Sequence, residues 1–345
     1  MISEKYPDSE FSFIGRDGGD ENQAVKTAGY DLYTIRVEGI SRRLTLKNVR
    51  AAVRAVSAYK ASKALIRDIR PDLVIGTGGY VCWPVLRAAI KSHIPTMIHE
   101  SNAFPGLVTR MLANRCDSVL LGFEEAKNGL KSAKRISVIG NPVRSSFYTT
   151  ERTEARRILG ISPSELLIVS FGGSLGAEKM NEAIIPMMFE YEKRRIRVTH
   201  IHSCGRKHYD KIKSRYPTLA KARGSRIVPY IENMPLWLSA ADLAITRSGA
   251  MTVAELCASR LPAVLIPSPN VTDNHQLRNA EAMQRIGSAT ILNEETLSTE
   301  KLSETVSAFY KNRALLSDMR NKYPKSTAES CRQKFLKEFE NIYRF

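Results

Sequence analysis

Two short glycine-rich segments each follow a run of apolar residues, and both have the composition of an anion-binding turn. The first is GTGGY at residues 76–80 and the second is FGGSLGA at residues 171–177. In each, a predicted buried strand runs through the glycines into a predicted helix, so that backbone N–H groups can approach a phosphate. A single such turn is explained equally well by a tight strand-to-helix junction that needs glycine. Two of them favour a nucleotide-type ligand held between two domains.

A third strand-to-helix junction is RSGAMTVAE at residues 247–255. We interpret Ser248 as the cap of the following helix, whose dipole would point toward the same ligand. Glu255 lies about one turn inside that helix, where a carboxylate can accept hydrogen bonds from both hydroxyls of a ribose. A solvated helix residue is the alternative for Glu255. DNHQ at residues 273–276 begins another helix, where its side chains either contact a sugar or cap the helix.

Histidines occur at two further strands. HESN at residues 99–102 ends a predicted buried strand, and its polar groups are expected to face the cleft. His99 and Glu100 are therefore candidates for the base that takes a proton from an acceptor hydroxyl. His200 and His202 lie on one face of another strand. Since no further ligands complete a metal site, we interpret both as structural.

The elements that position these motifs are short apolar strands alternating with longer amphipathic helices, which is typical of parallel α/β sheets. Strands are predicted near residues 11–14, 73–76, 96–99, 119–121, 136–139, 166–171, 198–202, 226–228, 243–246, 263–266 and 290–292. A polar, proline-containing segment after residue 140 indicates a domain boundary near residue 145. The predicted domains are residues 1–145 and 146–345, with a charged helical C-terminal segment that closes back on the first domain.

Length and composition agree with two folded domains. The 345 residues exceed the ~250–300 that usually share one core. Hydrophobic residues make up 43% and charged residues 25%, and no apolar run approaches the ~18 residues of a membrane span. The five cysteines are scattered without paired spacing, which favours reduced thiols in the cytosol and gives no metal site.

The formal net charge of +17 favours an anionic partner: a nucleic acid, an anionic lipid surface or a phosphorylated metabolite. No nucleic-acid motif is present and aromatic residues are not interleaved with basic ones, so nucleic acid ranks last. Residues 41–70 contain nine Lys and Arg and one acidic residue. This segment is either an amphipathic helix that lies on an anionic membrane or an ordinary domain helix with a solvated basic face.

The beginning of the chain departs from the usual domain pattern. A doubly wound domain normally opens with its central strand and a glycine-rich turn, whereas this sequence opens inside what looks like the first helix. Without a central strand, two neighbouring strands would be unpaired. We therefore expect the sequence to be truncated at its start.

Seven motifs occur in an order and spacing that resemble the MurG family along almost the whole chain: GTGGY at 76–80, HESN at 99–102, GNPVR at 140–144, FGGSLGA at 171–177, YIENM at 230–234, RSGAMTVAE at 247–255 and DNHQ at 273–276. The resemblance implies the GT-B architecture, two Rossmann-like domains that face each other across a cleft. It also implies inverting transfer of N-acetylglucosamine from UDP-N-acetylglucosamine to an undecaprenyl-diphosphate-linked muramyl-pentapeptide, without metal or cofactor. The implied location is peripheral, at the cytoplasmic face of the bacterial membrane.

The same resemblance implies a set of donor-binding residues, with Ile231 at the uracil, Glu255 at the ribose, and Asn102 and Arg144 reaching the donor from the first domain. The full set is Asn102, Arg144, Ser174, Ile231, Ala250, Met251, Thr252, Val253, Ala254, Glu255 and Gln276.

Two departures from the family pattern stand out. Ser101 replaces the usual Gln, and the first glycine loop, which carries the family's proposed base, has no counterpart. The catalytic residue is therefore unassigned. The alternatives are a UDP-sugar-binding protein without turnover, or another UDP-sugar enzyme such as a 2-epimerase.

Overall fold

Every strand pair among the described residues is parallel, and helices connect the strands in both halves of the chain. The computed structural model describes residues 1–19, 22–37, 46–130, 132–173, 176–221, 225–324 and 328–343. The chain divides into two compact units, Met1–Gly140 together with Glu329–Phe345, and Asn141–Ala328. This architecture confirms the predicted α/β class with parallel sheets.

The first unit contains a two-stranded and a four-stranded sheet. Its strands are β1 (Ser12–Arg16), β2 (Asp31–Ile35), β3 (Val74–Gly76), β4 (Thr96–Glu100), β5 (Ser118–Leu121) and β6 (Ile136–Val138), with β1 paired to β2 and the order β3-β4-β5-β6 in the larger sheet. Its helices are α1 (Ile2–Lys5), α2 (Asn22–Thr27), α3 (Leu46–Ile69), α4 (Cys82–Lys91) and α5 (Leu107–Leu112), with a 3-10 turn at Glu124–Gly129.

The last helix of the chain completes the core of the first unit. Phe335 and Ile342 pack against Met97, Leu120 and Ile139 of the four-stranded sheet. The unit therefore combines the N-terminal part of the chain with its C-terminal end. The sequence prediction assigns residues 146–345 to the second domain and expects the C-terminal helical segment to close back on the first, which is where this helix packs.

The second unit is built on one six-stranded sheet, with the order β12-β11-β10-β7-β8-β9. Its strands are β7 (Leu166–Phe171), β8 (Val198–Ser203), β9 (Arg226–Val228), β10 (Leu243–Thr246), β11 (Ala263–Leu265) and β12 (Ala289–Ile291). Its helices are α6 (Ser146–Thr149), α7 (Arg152–Leu159), α8 (Glu178–Lys193), α9 (Arg206–Arg215), α10 (Pro217–Lys221), α11 (Met234–Ala240), α12 (Ala250–Ser259), α13 (His275–Arg285), α14 (Thr299–Lys311) and α15 (Ala314–Lys322), with 3-10 turns at Thr272–Asn274 and Glu294–Thr296. The last helix of the chain, which packs in the first unit, is α16 (Ala328–Ile342).

The central strands β7 and β10 explain where a ligand site belongs in this unit. Both are buried along their full length, as expected for parallel strands covered by helices on both faces. From β7 the chain proceeds to β8 and β9 on one side, whereas β10, β11 and β12 lie on the other. The carboxyl ends of β7 and β10 therefore flank the point at which the strand order reverses, where open α/β sheets bind ligands. FGGSLGA follows β7 and RSGAMTVAE follows β10.

Candidate active site

The second glycine motif lies between β7 and α8, and its described glycines are conformationally constrained. Gly173 and Gly176 have φ angles of +91° and +78°, and the Gly176 amide donates to the Gly173 carbonyl at 3.1 Å. A Cβ atom at Gly172 would lie 2.6 Å from the Ala177 Cβ, so this position has no space for a side chain. The loop ends at the N-terminus of α8, whose N-cap Ala177 provides no side-chain hydrogen bond. The first-turn amides of α8 therefore lack a cap from that residue, as an anion-binding helix end requires. The predicted donor residue Ser174 lies outside the described residues.

The junction between β10 and α12 differs from the sequence prediction. The N-cap of α12 is Gly249, and Ser248 is fully buried instead of capping the helix. Its hydroxyl donates to the Gln276 carbonyl at 2.8 Å, and the Asn279 side chain donates to the Ser248 carbonyl at 3.1 Å. The prediction of a cap was wrong because the preferred partner of the hydroxyl is a carbonyl more than 25 residues away. Ser248 thus joins the beginnings of α12 and α13.

Gln276 lies at this joint, at the start of α13. Its side-chain oxygen accepts a hydrogen bond from the Ser268 amide at 2.9 Å. This bond fixes the orientation of the side-chain amide, since the oxygen is committed to the backbone. The two residues before His275, Asp273 and Asn274, both have left-handed backbone angles, with φ of +58° and +51°. Such strained turns are concentrated at ligand sites.

Glu255 and Arg144 interact electrostatically within the second unit. Burial raises the pKa of the half-buried Glu255 carboxyl, and the positive charge of Arg144 opposes this shift. The Arg144 guanidinium lies 5.3 Å from the ring of Phe147, which is buried in α6, and α6 packs against α12. Arg144 therefore belongs to the second unit, whereas the resemblance implied that it reaches the donor from the first domain. Glu255 is a partly desolvated carboxylate, not the solvated helix residue of the alternative interpretation.

The remaining predicted residues of the second unit divide by exposure. Met251 is exposed and Thr252 and Ala250 are half-buried, so they can contact a ligand directly. In contrast, Val253 and Ala254 are buried in the unit, and Ile231 is 2% exposed. Ile231, in the segment that precedes α11, therefore offers almost no accessible surface to a ligand in this structure. Since α11 packs against α12, the segment is near the same junction.

In the first unit, Glu100 organises the loop after β4. Its carboxylate is 4% exposed and accepts hydrogen bonds from the Asn102 amide at 3.0 Å and from its side chain at 3.2 Å. It also accepts from the Gly106 amide and from the Thr109 hydroxyl, both at 2.8 Å. A carboxylate with four donors is a positioning group, and the residue it positions is the predicted donor ligand Asn102.

His99 is held in a comparable way. Its Nε2 lies 3.3 Å from the Gly140 carbonyl, so it donates there, and Nδ1 lies 3.4 Å from the Ser101 hydroxyl. Burial lowers the pKa of His99, against the opposing effects of the Gly140 carbonyl and the Glu100 charge. Both candidate bases thus hold loops in this structure, and a catalytic role for either stays a prediction.

The first glycine motif forms a strand-to-helix turn. Gly78 and Gly79 have φ angles of +95° and +79°, and a Cβ atom at Gly76 would lie 2.6 Å from a Leu86 side-chain carbon. The Cys82 thiol donates to the Gly78 carbonyl at 2.7 Å. Close packing of β3 and α4 accounts for Gly76, and the left-handed backbone of the turn accounts for Gly78 and Gly79, so the simpler of the two interpretations offered by the sequence explains all three.

Comparison with known proteins agrees with this geometry. The model of the glycosyltransferase family 28 N-terminal domain matches residues 5–121, and that of the C-terminal domain matches residues 167–335. A protein from Caldanaerobacter subterraneus subsp. tengcongensis is 38% identical over 317 residues, which cover 91% of this chain and 86% of that protein. A protein from Listeria monocytogenes is 37% identical over 319 residues, covering 92% and 87%. Both carry the name UDP-N-acetylglucosamine--N-acetylmuramyl-(pentapeptide) pyrophosphoryl-undecaprenol N-acetylglucosamine transferase.

Two solved structures extend the comparison. The crystal structure of Acinetobacter baumannii MurG has a TM-score of 0.74 at 27% identity and covers 96% of this chain and 91% of its own. A structure described as a putative UDP-N-acetylglucosamine 2-epimerase from Listeria monocytogenes has a TM-score of 0.65 at 12% identity, with 98% of each chain covered, and shows the shared fold alone.

Two parallel α/β units, together with both domain matches and the MurG structure, define a glycosyltransferase of the GT-B architecture. Sequence identity over most of the chain specifies it further: the chain belongs to the MurG family of N-acetylglucosamine transferases. The family expected from the seven motifs is thereby confirmed.

Proposed function

We propose that this chain transfers N-acetylglucosamine from UDP-N-acetylglucosamine to the muramyl-pentapeptide carried on undecaprenyl diphosphate, a step of peptidoglycan synthesis. The observation that carries the assignment of the donor site is the Ser248 hydrogen bond to Gln276, which joins RSGAMTVAE and DNHQ in one place. The names of the relatives support the choice of donor and acceptor.

The residues of the second unit suggest how the donor is bound and activated. Glu255, whose charged form Arg144 favours, accepts hydrogen bonds from the ribose hydroxyls, and Gln276 donates its oriented amide to the sugar. The N-termini of α8 and α12 point their amides at the diphosphate, with Ser174 as a further donor. As the bond between the anomeric carbon and the phosphate oxygen breaks, these dipoles stabilise the negative charge that develops on UDP.

The acceptor hydroxyl attacks the anomeric carbon from the face opposite the leaving UDP, so that the new glycosidic bond has inverted configuration. Its proton passes to a base whose identity stays unassigned. Asn102, fixed by Glu100, is proposed to contact the donor from the first unit.

The test of this proposal measures UDP binding by calorimetry and UDP release with a lipid-linked muramyl-pentapeptide acceptor. Glu255→Ala should weaken UDP binding by about 10- to 100-fold, because it removes charged hydrogen bonds worth about 1.5–3 kcal/mol. Glu281→Ala, which removes an exposed carboxylate from α13, serves as the matched control and should bind normally.

Each other outcome has a definite meaning. If the protein binds UDP but does not release UDP from UDP-N-acetylglucosamine when the acceptor is present, a UDP-sugar-binding protein is favoured. Formation of N-acetylmannosamine derivatives would favour a 2-epimerase. Equal UDP affinity of the Glu255 and Glu281 variants would refute the assignment of Glu255 to the ribose.

A peripheral position on the cytoplasmic face of the bacterial membrane is also proposed. The described part of α3 buries Ala58 and Ile66, while Val56, Lys60 and Lys63 lie exposed at helical spacing on another face. A basic, partly apolar stripe of this kind suits an anionic lipid surface. In the described residues, no helix has the length and apolar character to cross a bilayer.

Sedimentation with vesicles tests the membrane proposal. Lys60→Glu with Lys63→Glu should reduce binding to phosphatidylglycerol vesicles at low salt at least tenfold, since each lysine contributes about 1 kcal/mol. Lys207→Glu with Lys211→Glu makes the same charge change on exposed positions of α9 and should bind as the wild type does. Equal loss in both pairs would indicate attraction by net charge alone.

A further inference from the structure

A chain of buried side chains connects the strands of the second unit to its glycine loop. The Ser170 hydroxyl lies 2.7 Å from His200 Nε2 and 2.8 Å from His202 Nδ1. His202 Nε2 lies 2.9 Å from the Asn181 side-chain oxygen, and the Asn181 amide donates to the Cys204 carbonyl at 3.0 Å. The four polar side chains are at most 6% exposed. Ser170 and His202 are direct partners in the pairing of β7 with β8.

The directions of the hydrogen bonds in this series of side chains can be worked out from Asn181, its last residue. Because the Asn181 amide nitrogen donates to Cys204, its oxygen faces His202, and Nε2 of His202 must carry the hydrogen. Nδ1 of His202 then accepts from the Ser170 hydroxyl, whose oxygen accepts from His200 Nε2. This assignment requires neutral imidazoles, and burial lowers the pKa of each, so that both are neutral near pH 7.

The hydrogen-bonded series ends at the Cys204 carbonyl, which contacts the glycine loop. The Cys204 carbonyl occupies the space that a Cβ atom would need at Gly176. Gly176 in turn closes the loop through its hydrogen bond to Gly173. Asn181, near the start of α8, therefore holds the carbonyl that forms the wall of the loop, and His202 holds Asn181. A shift of this carbonyl would move Gly176 and, with it, the Gly176 amide and its hydrogen bond to Gly173.

We propose that His202 and Asn181 are positioning residues for the donor diphosphate, which set the geometry of the glycine loop through the Cys204 carbonyl. The inference rests on the proposed function, in which this loop binds the diphosphate. His200 and Ser170 act one step further back, because the Ser170 hydroxyl holds the His202 ring at Nδ1 and His200 holds that hydroxyl. None of these side chains contacts the substrate in this mechanism.

Two substitutions at the same position separate positioning from simple packing. His202→Gln places an amide N–H near the former Nε2 and keeps the bond to Asn181, whereas His202→Asn is too short to reach it. We expect His202→Asn to raise the Kd for UDP and the KM for UDP-N-acetylglucosamine about tenfold, the scale of one buried hydrogen bond. His202→Gln should stay within about twofold of the wild type, and kcat should change less than KM in both.

A second variant and a control complete the experiment. Asn181→Asp still accepts a hydrogen bond from His202 but cannot donate one to the Cys204 carbonyl, so it should weaken UDP binding. This variant keeps the inference testable if His202→Asn does not fold. Tyr323→Phe removes a buried hydrogen bond to the Leu261 carbonyl, 2.5 Å long, elsewhere in the unit, and should lower the Tm without changing the Kd.

The outcomes distinguish the inference from the function on which it rests. If the wild type binds UDP and the His202 and Asn181 variants bind equally well despite a lower Tm, the positioning role is refuted. The same holds if His202→Gln and His202→Asn lose affinity alike. If the wild type does not bind UDP, the proposed donor site itself fails, together with the basis of the inference.

Discussion

The buried histidines of β8 should make the second unit sensitive to mild acid. His200 and His202 are fully buried, and burial lowers the pKa of His202 to about 3 and that of His200 well below its ordinary value. In the unfolded chain both titrate near 6.5. Below that pH the unfolded state binds protons that the folded state does not. Stability is therefore fully present above pH 6.5 and is lost as the pH falls from 6.5 toward 3.

The size of this loss follows from the pKa difference. Between pH 6.5 and pH 5 the unfolded state gains about 1.4 kcal/mol per pH unit for each histidine, which gives about 2 kcal/mol for His202. His200, whose pKa is also lowered by burial, acts in the same direction, so about 2 kcal/mol is the minimum loss expected. Since domains are usually stable by about 5–15 kcal/mol, acidification to pH 5 should remove a measurable part of the stability.

Urea unfolding followed by tryptophan fluorescence measures this effect. Trp83 lies in the first unit and Trp237 in the second, so a Trp83→Phe background makes Trp237 a reporter of the second unit. The unfolding free energy should fall by at least about 2 kcal/mol from pH 7 to pH 5. In the same background, the double variant His200→Gln, His202→Gln should lose far less. An equal loss in both proteins would show that other groups cause the acid sensitivity, and no loss would refute the argument.

Three further predictions concern the loops and the ion pairs. Gly176→Ala should weaken UDP binding more than tenfold by calorimetry, because its left-handed backbone and the adjacent carbonyl leave no place for a Cβ atom. Asp242→Asn should lower the unfolding free energy in urea by about 3 kcal/mol, since it leaves the buried Arg156 and the neighbouring Arg152 without their carboxylate. Glu100→Gln should reduce the rate of UDP release at least tenfold, because the amide nitrogen cannot accept the hydrogen bonds that position the loop after β4.

The strands of the fold were largely predictable, and the exception has a physical cause. The predicted strands at residues 166–171, 226–228 and 243–246 match the observed ones, because a buried parallel strand is a short apolar run. The strand Asp31–Ile35 was missed. Most of its side chains are exposed, so its residues show no apolar run. Burial on both faces, not strand formation itself, is what the sequence pattern reports.

The candidate site was predictable where its chemistry is local. A glycine pair after an apolar strand, or a carboxylate one turn into a helix, can be recognised from adjacent residues, and the structure places such segments at the ends of β7 and β10. Ser248 shows the limit of this approach. It stands where a cap is expected, yet its hydroxyl bonds to Gln276, because the neighbouring helix brings a buried carbonyl within reach.

The Ser170–His202–Asn181 chain shows why the remaining part of the site requires the fold. Two histidines at alternating positions of a strand indicate that both side chains lie on one face, as the sequence analysis predicts. The sequence does not indicate which residues form hydrogen bonds with them. Ser170 becomes a partner only when β7 pairs with β8 in one register, since a shift by one residue would turn its hydroxyl to the opposite face of the sheet. Asn181 becomes a hydrogen-bond partner of His202 only when α8 packs over β8. The hydrogen bonds of the buried imidazoles therefore depend on strand register and helix packing. For this reason, variants of His202 that preserve or lose one hydrogen bond can test how the sheet determines the shape of the ligand loop.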